Sequence, residues 1–181
     1  EALDLSDLVH GHKPFLQQLY DRTQTPTTRL LASWDRAKLD QLIAQVGVPR
    51  HFAESSPAAV QAYGDAIERT LQSLHPSLYV SKALRRVEDT DIQAAGEWLH
   101  EMLSEQEVRQ DGIPAFNLIS TPATRYLAEH GDRLFHGVSA EERERRSSQL
   151  KRVQRAFQLS TGPTQVGALL KHGLDSARHI S

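Results

Sequence analysis

The chain has no cysteine, one methionine and two tryptophans among its 181 residues. The missing thiol excludes cysteine nucleophiles, thiolate zinc sites and any disulfide framework, and it leaves the redox compartment open. No apolar run approaches the roughly 20 residues that cross a bilayer. No charged start followed by an apolar stretch reads as a signal peptide. Charge of one sign is also in short supply: 21 Lys and Arg stand against 23 Asp and Glu, a formal net charge of -2. Bulk electrostatics therefore draw the chain toward neither nucleic acid nor acidic membranes. No Gly-x-Ser-x-Gly elbow and no phosphate-binding glycine loop is present. A chain of this length buries roughly two-thirds to 70 per cent of its unfolded surface, so it needs no metal or disulfide to fold.

What is present reads as helices. Stretches of alternating β-branched and aromatic residues are lacking, and the short candidates Ser77 to Val80 and Phe116 to Ile119 cannot build a sheet. The ten glycines and eight prolines fall mostly between segments of helical apolar spacing. The first helix is predicted after Ser6, broken or kinked at Gly11 and Pro14. A second is expected from an N-cap at Ser33 to Gly47, and Ser56-Pro57 is a strong start for a third. Pro76 closes that segment or opens the next, and residues 77 to 87 read as a short amphipathic piece. Thr90 and Asp91 cap a further helix.

Asp111 to Ser120 is the longest expected loop. Thr121-Pro122 restarts a helix whose left-handed end is expected at Gly131. Ser139 and Glu142 form a capping box, with Glu141, Glu142 and Glu144 complementing the helix dipole. Leu150, Val153 and Phe157 then form a core stripe. A last pair is predicted near 164 to 172 and 176 to 180, joined at Gly173. These signals predict one all-α domain over residues 1 to 181, a compact bundle of about seven to nine helices. It has a weak sub-boundary near 111 to 121 and a short C-terminal helix-turn-helix pair. Glu1 in place of Met predicts a piece of something larger.

Nine histidines prompt a search for metal ligands, but their spacing seldom shares a surface. His10 and His12 flank Gly11, which suits a loop pair and not a helical face. His172 and His179 are separated by the helix break at Gly173, and His100-Glu101 lacks a second histidine at 104. No metal and no cofactor is expected. His130, Asp132 and His136 are the one grouping that could serve a small hydrolase. Ser176 beside Asp175 reads as a cap and not a nucleophile.

The most basic stretch is Arg143, Arg145, Arg146, Lys151, Arg152 and Arg155, diluted by acidic neighbours. It predicts a mixed solvent-facing helix or an interface to another domain. Leu169 to Ile180 is similar in outline to a helix-hairpin-helix element, in which Gly173 amides with Lys171 and Arg178 would hold a phosphate without reading bases. The usual earlier glycine is replaced by the Lys171-His172 region, so nucleic acid stands as the disfavoured alternative.

Three runs carry a family likeness: Tyr126-Leu127-Ala128-Glu129-His130-Gly131-Asp132, then Gln149 through Leu159, then Val166 through Ile180. In order and spacing they resemble a helical region of the Tc (ABC-type) insecticidal toxin A subunits and related virulence-plasmid proteins. The layout of Leu39 to Pro49, Tyr63-Gly64 and Leu74-His75-Pro76 is similar to the preceding part, so the likeness spans residues 30 to 181 and is densest from 126 onward. Gln158 departs from the arginine that the family pattern favours.

The chain is too short for a channel, a receptor-binding domain or a toxic enzyme. The resemblance therefore implies only the α-helical body that supports a translocation channel. On that basis the expected function is a non-catalytic structural and interaction module of a secreted or extracellular toxin-like protein. Its partners would be other domains or subunits, with no membrane contact of its own. The expected contact surface is Arg145, Lys151, Arg152, Arg155, Lys171, Gly173 and Arg178.

Overall fold

Some helix starts and stops follow the local chemistry of the sequence and others are moved by packing. The computed structural model describes residues 2–52, 56–108, 113–114 and 116–174. Among these residues there is no strand and there are ten α-helices. The chain is all-α, the class that its periodicity predicts. It divides into two compact units, Glu1–His75 and Pro76–Ser181. The segment at 111 to 121 belongs to the second unit, and Asp111, Gly112 and Ala115 lie outside the described residues.

Unit 1 comprises α1 (Ala2–Leu8), α2 (Lys13–Thr23), α3 (Thr28–Ser33), α4 (Arg36–Val46), a 3-10 turn (Arg50–Phe52) and α5 (Pro57–Leu74). Ser56 caps α5 as expected, its Oγ accepting from the Ala59 amide at 3.2 Å. Gly47 ends α4 with φ 78°. The expected cap at Ser33 is displaced: Ser33 is the last residue of α3, and its hydroxyl donates back to Leu30 O at 2.7 Å. Asp35 precedes α4 instead. Thr27 opens α3 by accepting from the Leu30 amide at 3.0 Å, so a short helix stands ahead of the predicted one, in a stretch for which none was predicted.

The core of unit 1 is apolar and includes Leu5, Phe15, Leu19, Leu31, Leu42, Ile43, Ile67 and Leu71. Tyr63 carries a polar group into that core, its Oη donating to Val9 O at 2.9 Å. Burial pushes the Tyr63 phenol well above its ordinary pKa,. Arg36 fastens α4 to α5, reaching Asp40 (2.8 Å), Asp65 (2.6 Å), Glu68 (2.9 Å) and Gln61 O (3.2 Å). Burial alone would lower its pKa, but the hydrogen bonds to Asp40, Asp65 and Glu68 outweigh it and raise the value. Gly64 leaves room for that guanidinium, since a Cβ there would lie 2.7 Å from Arg36 Nη2.

Unit 2 contains α6 (Pro76–Leu84), α7 (Thr90–Val108), α8 (Ala123–Leu134), α9 (Ala140–Leu159) and α10 (Pro163–Lys171). The expectation of an amphipathic 77 to 87 segment is corrected here. Every residue from Pro76 to Ser81 is buried, as is Leu84, and α6 packs against both α7 and α10. Its two serines look like a polar face but spend their hydroxyls internally. Ser77 accepts from the Leu118 amide at 2.9 Å, and Ser81 donates to Leu78 O at 2.8 Å.

The segment before α8 also joins the core through Ile113, Phe116 and Leu118. Tyr126 Oη donates to Pro114 O at 3.1 Å, and the Phe116 and Tyr126 rings sit 5.1 Å apart. Buried Gln154 of α9 anchors this stretch. Its Oε1 accepts from the Ala123 amide at 2.7 Å, and its Nε2 donates to Leu118 O at 3.0 Å and Thr121 O at 2.8 Å. The glycine expectation at 131 is also corrected: Gly131 lies inside α8, and Gly137, with φ 79°, makes the left-handed turn. Asp89 caps α7, accepting from the Asp91 and Ile92 amides at 3.1 and 3.0 Å, where Thr90 and Asp91 were expected to do so.

Replacing Gln154 with Leu strands the Ala123 amide and the Leu118 carbonyl inside the core, at a cost of about 2–4 kcal/mol. Urea unfolding of the Gln154→Leu protein should show that loss; unchanged stability would mean that the anchor contributes nothing.

Candidate functional site

Six basic residues between 143 and 155 lie on α9, and their neighbours divide them into two sets. In the N-terminal half each arginine is engaged inside unit 2. Arg143 reaches Asp132 at 2.6 Å and lies over the Phe135 ring, with 6.0 Å between guanidinium carbon and ring centre. Arg146 lies over the Trp98 ring at 5.7 Å. Trp98 and Phe135 themselves stack at 6.0 Å, so two cations cover an aromatic pair joining α7 to the end of α8.

Ser139 accepts from the Glu142 amide at 3.2 Å, which is half of the expected capping box. The Glu142 carboxylate does not reach back. It bridges Arg145 (2.7 and 3.0 Å) and Arg146 (2.6 Å) instead. Hydrogen bonds from Arg145, then Arg146, hold its pKa down to about 2.

The C-terminal half carries Lys151, Arg152 and Arg155, with Arg152 and Arg155 exposed and Lys151 half-buried. Arg152 lines a small cleft with Asp91, Ile92, Ala95, Gln149, Val153 and Leu170. That cleft holds about 40 Å³, enough for a water molecule or two and too small for an organic substrate. Arg152 thereby stands beside the end of α10, where Lys171 is exposed. Arg145 and Arg152, seven residues apart, share one face of α9, with Arg155 nearly a quarter-turn away. Arg178 lies outside the described residues, as does the predicted helix 176 to 180.

Gly173 is the turn that its position predicts, with φ 67°. Its amide is engaged, however: Gly173 N donates to Leu170 O at 3.0 Å and Leu174 N to Leu169 O at 2.8 Å. These two bonds form a Schellman end for α10. The backbone groups that would cradle a phosphate in a helix-hairpin-helix reading thus close the helix here.

His130, Asp132 and His136 do not form an acid-base relay among themselves. Asp132 is exposed and paired with Arg143. His130 sits with its ring against Tyr126 at 5.1 Å and its Nδ1 3.3 Å from Arg133 Nη2. His136 is exposed.

A serine–histidine contact outside the sequence reading joins Ser81 Oγ to His100 Nδ1 at 3.3 Å. Ser81 is fully buried and points its proton at Leu78 O. Its oxygen therefore accepts from the imidazole, the reverse of an activated nucleophile. Nineteen residues separate the two, and no sequence spacing announces the pair. Among the described residues no three His, Asp or Glu side chains come together as a metal-binding group.

No protein-family model matches the sequence, no curated protein matches it, and no solved structure matches the fold.

The Glu142 bridge makes a signed pH prediction. A depressed carboxylate contributes stability above its unfolded pKa near 4.3 and loses that contribution as pH falls toward about 2,. NMR titration of the Glu142 side chain should give a midpoint near 2, and the Arg145→Gln, Arg146→Gln double variant should return it toward the ordinary range. A midpoint already in that range in the parent protein would contradict the bridge.

Proposed function

We propose that this chain is a structural and interaction module of a larger secreted, toxin-like protein, a part of the helical body of a Tc-type A subunit. Catalysis has no part in this reading. The observation that carries it is where the family-like runs fall. Tyr126, Leu150, Val153, Ala156, Val166 and Leu170 of those runs are all core residues. Gln154, in the middle run, ties the segment before α8 to α9, and Gly173 closes α10. Part of each run thus holds helices together, as a supporting body requires.

The contact surface in this reading is the C-terminal half of α9, Lys151, Arg152 and Arg155, continued by Lys171 at the end of α10. Arg145 extends the same face through its carboxylate partner. Partners would be other segments or copies of the parent protein. No helix among the described residues is long and apolar enough to cross a membrane, which accords with a module that stands outside the channel it supports.

Amine-reactive cross-linking of the parent protein, purified with whatever lies on either side of these residues, tests the proposal. Lys151 and Lys171 should link to lysines of the parent protein beyond residues 1 to 181, or to a second copy. Links confined to one copy of residues 1 to 181, or a coding region that starts and stops at residues 1 and 181, would overturn it.

A further inference from the structure

We propose that unit 1 carries a binding site for a small hydroxylated organic anion, of the sugar phosphate or sugar acid kind, between α5 and the turn joining α1 to α2. A shallow, wide-open groove of about 430 Å³ lies there, its floor and rims made mostly by exposed side chains. Its walls are His10 from the turn and Ala66, Arg69, Thr70, Ser73 and Leu74 from α5. The five α5 positions follow helical spacing and form a stripe alongside the core stripe of Tyr63, Ile67 and Leu71.

Each wall residue offers a distinct contact. Arg69 donates its Nε to Asp65 O at 3.2 Å, and its two Nη groups have no partner among the described residues. A guanidinium fixed at Nε presents those groups as a fork suited to a carboxylate or phosphate. The acids nearest on the helix do not compete for it, because Asp65 and Glu68 are both held by Arg36, at 2.6 and 2.9 Å. Thr70 and Ser73 direct their protons to Ala66 O (3.1 Å) and Arg69 O (3.3 Å). Their oxygens keep lone pairs that accept from a ligand's hydroxyls. Leu74, 46% exposed, and Ala66 supply an apolar strip for the carbon face of a sugar or polyol.

His10 completes the opposite wall from the left-handed end of α1. It occupies the left-handed closing position of α1 with φ 53°. The Gly11 amide bonds to Ser6 O at 2.7 Å and the His10 amide to Asp7 O at 3.1 Å. Glycine is the usual residue at that position, yet the glycine stands one place later. The arrangement sets the imidazole against Phe52 and Tyr63, at ring distances of 5.4 and 6.4 Å, and brings it to the cleft facing the Arg69 stripe. Strained backbone of this kind concentrates where a side chain is being aimed. This site stands whether or not unit 2 docks on a larger protein.

Isotope-labelled NMR on the full chain tests the proposal, with glucose-6-phosphate, gluconate, glucose and inorganic phosphate as separate titrants. Glucose-6-phosphate and gluconate should each give saturable shifts in the amides of residues 9 to 12 and 69 to 74 and in the Arg69 Nε–H. Glucose and inorganic phosphate, each holding half of the recognised chemistry, should bind at least about tenfold more weakly. Arg69→Gln should weaken glucose-6-phosphate by about tenfold or more while leaving the circular dichroism unchanged. Thr70→Val should weaken glucose-6-phosphate and spare inorganic phosphate. No saturable shift up to about 10 mM, unchanged binding in Arg69→Gln, or inorganic phosphate binding as tightly as the sugar phosphate would each overturn it.

Discussion

Unit 2 depends on how closely two helices can approach the end of α6. Seven of the nine residues of that helix are buried, so its neighbours must come close, and in both of them a glycine meets its end. A Cβ at Gly96 of α7 would lie 2.7 Å from the Arg85 amide nitrogen and 2.8 Å from Leu84 Cβ. A Cβ at Gly167 of α10 would lie 2.5 Å from Val87 Cγ2. Both glycines are helical, so backbone freedom is not their use; the missing methyl is. Two buried serines in such a helix are tolerated only if their hydroxyls find partners. Ser77 and Ser81 find them in a distant amide and a carbonyl one turn back,.

Unit 1 solves the same packing problem with charge. Gly64 makes room on α5 for the Arg36 guanidinium, which then gathers Asp40, Asp65 and Glu68. An ion pair at a surface is worth little singly, but one cation shared among three carboxylates across two helices constrains their register. The same hub leaves the neighbouring face of α5, with Arg69, free of competing acids. Packing and the proposed anion cleft are thus linked through Arg36.

Much of this architecture is legible wherever the signal is local. The Ser56-Pro57 start, the Gly47 stop, the Ser139 cap and the Gly173 turn each depend on residues within one turn of each other, and each stands where its chemistry places it. Signals that depend on distant partners are not legible. Ser77 reads as surface because Leu118 is 41 residues away. Gln154 reads as surface for the same reason, its three partners lying 31, 36 and 33 residues back. Gly131 carries a helix-ending signal, but Gly137 follows and the amphipathic run through Leu134 keeps α8 intact past it. In the candidate surface, Glu142 with Arg146 is an ordinary helical pair, visible in advance. The engagement of Arg143 with Asp132 and Phe135, and the closing of α10 by the Gly173 amide, required the fold.

Functionally, both units spend their polar residues on joining helices. The proposed scaffold role of unit 2 uses the basic edge of α9 and α10, and the proposed anion cleft of unit 1 uses the Arg69 fork across from His10. α6 is the post on which α7 and α10 pack, and glycine contact sets the fit. Urea denaturation of Gly96→Ala beside Gly131→Ala tests it most directly, since both sites are helical but only Gly96 touches a neighbouring backbone within 3 Å. Gly96→Ala should lose about 1–3 kcal/mol through overpacking, while Gly131→Ala should gain about 0.5–1 kcal/mol from helix propensity. Equal gains at both positions would contradict the claim.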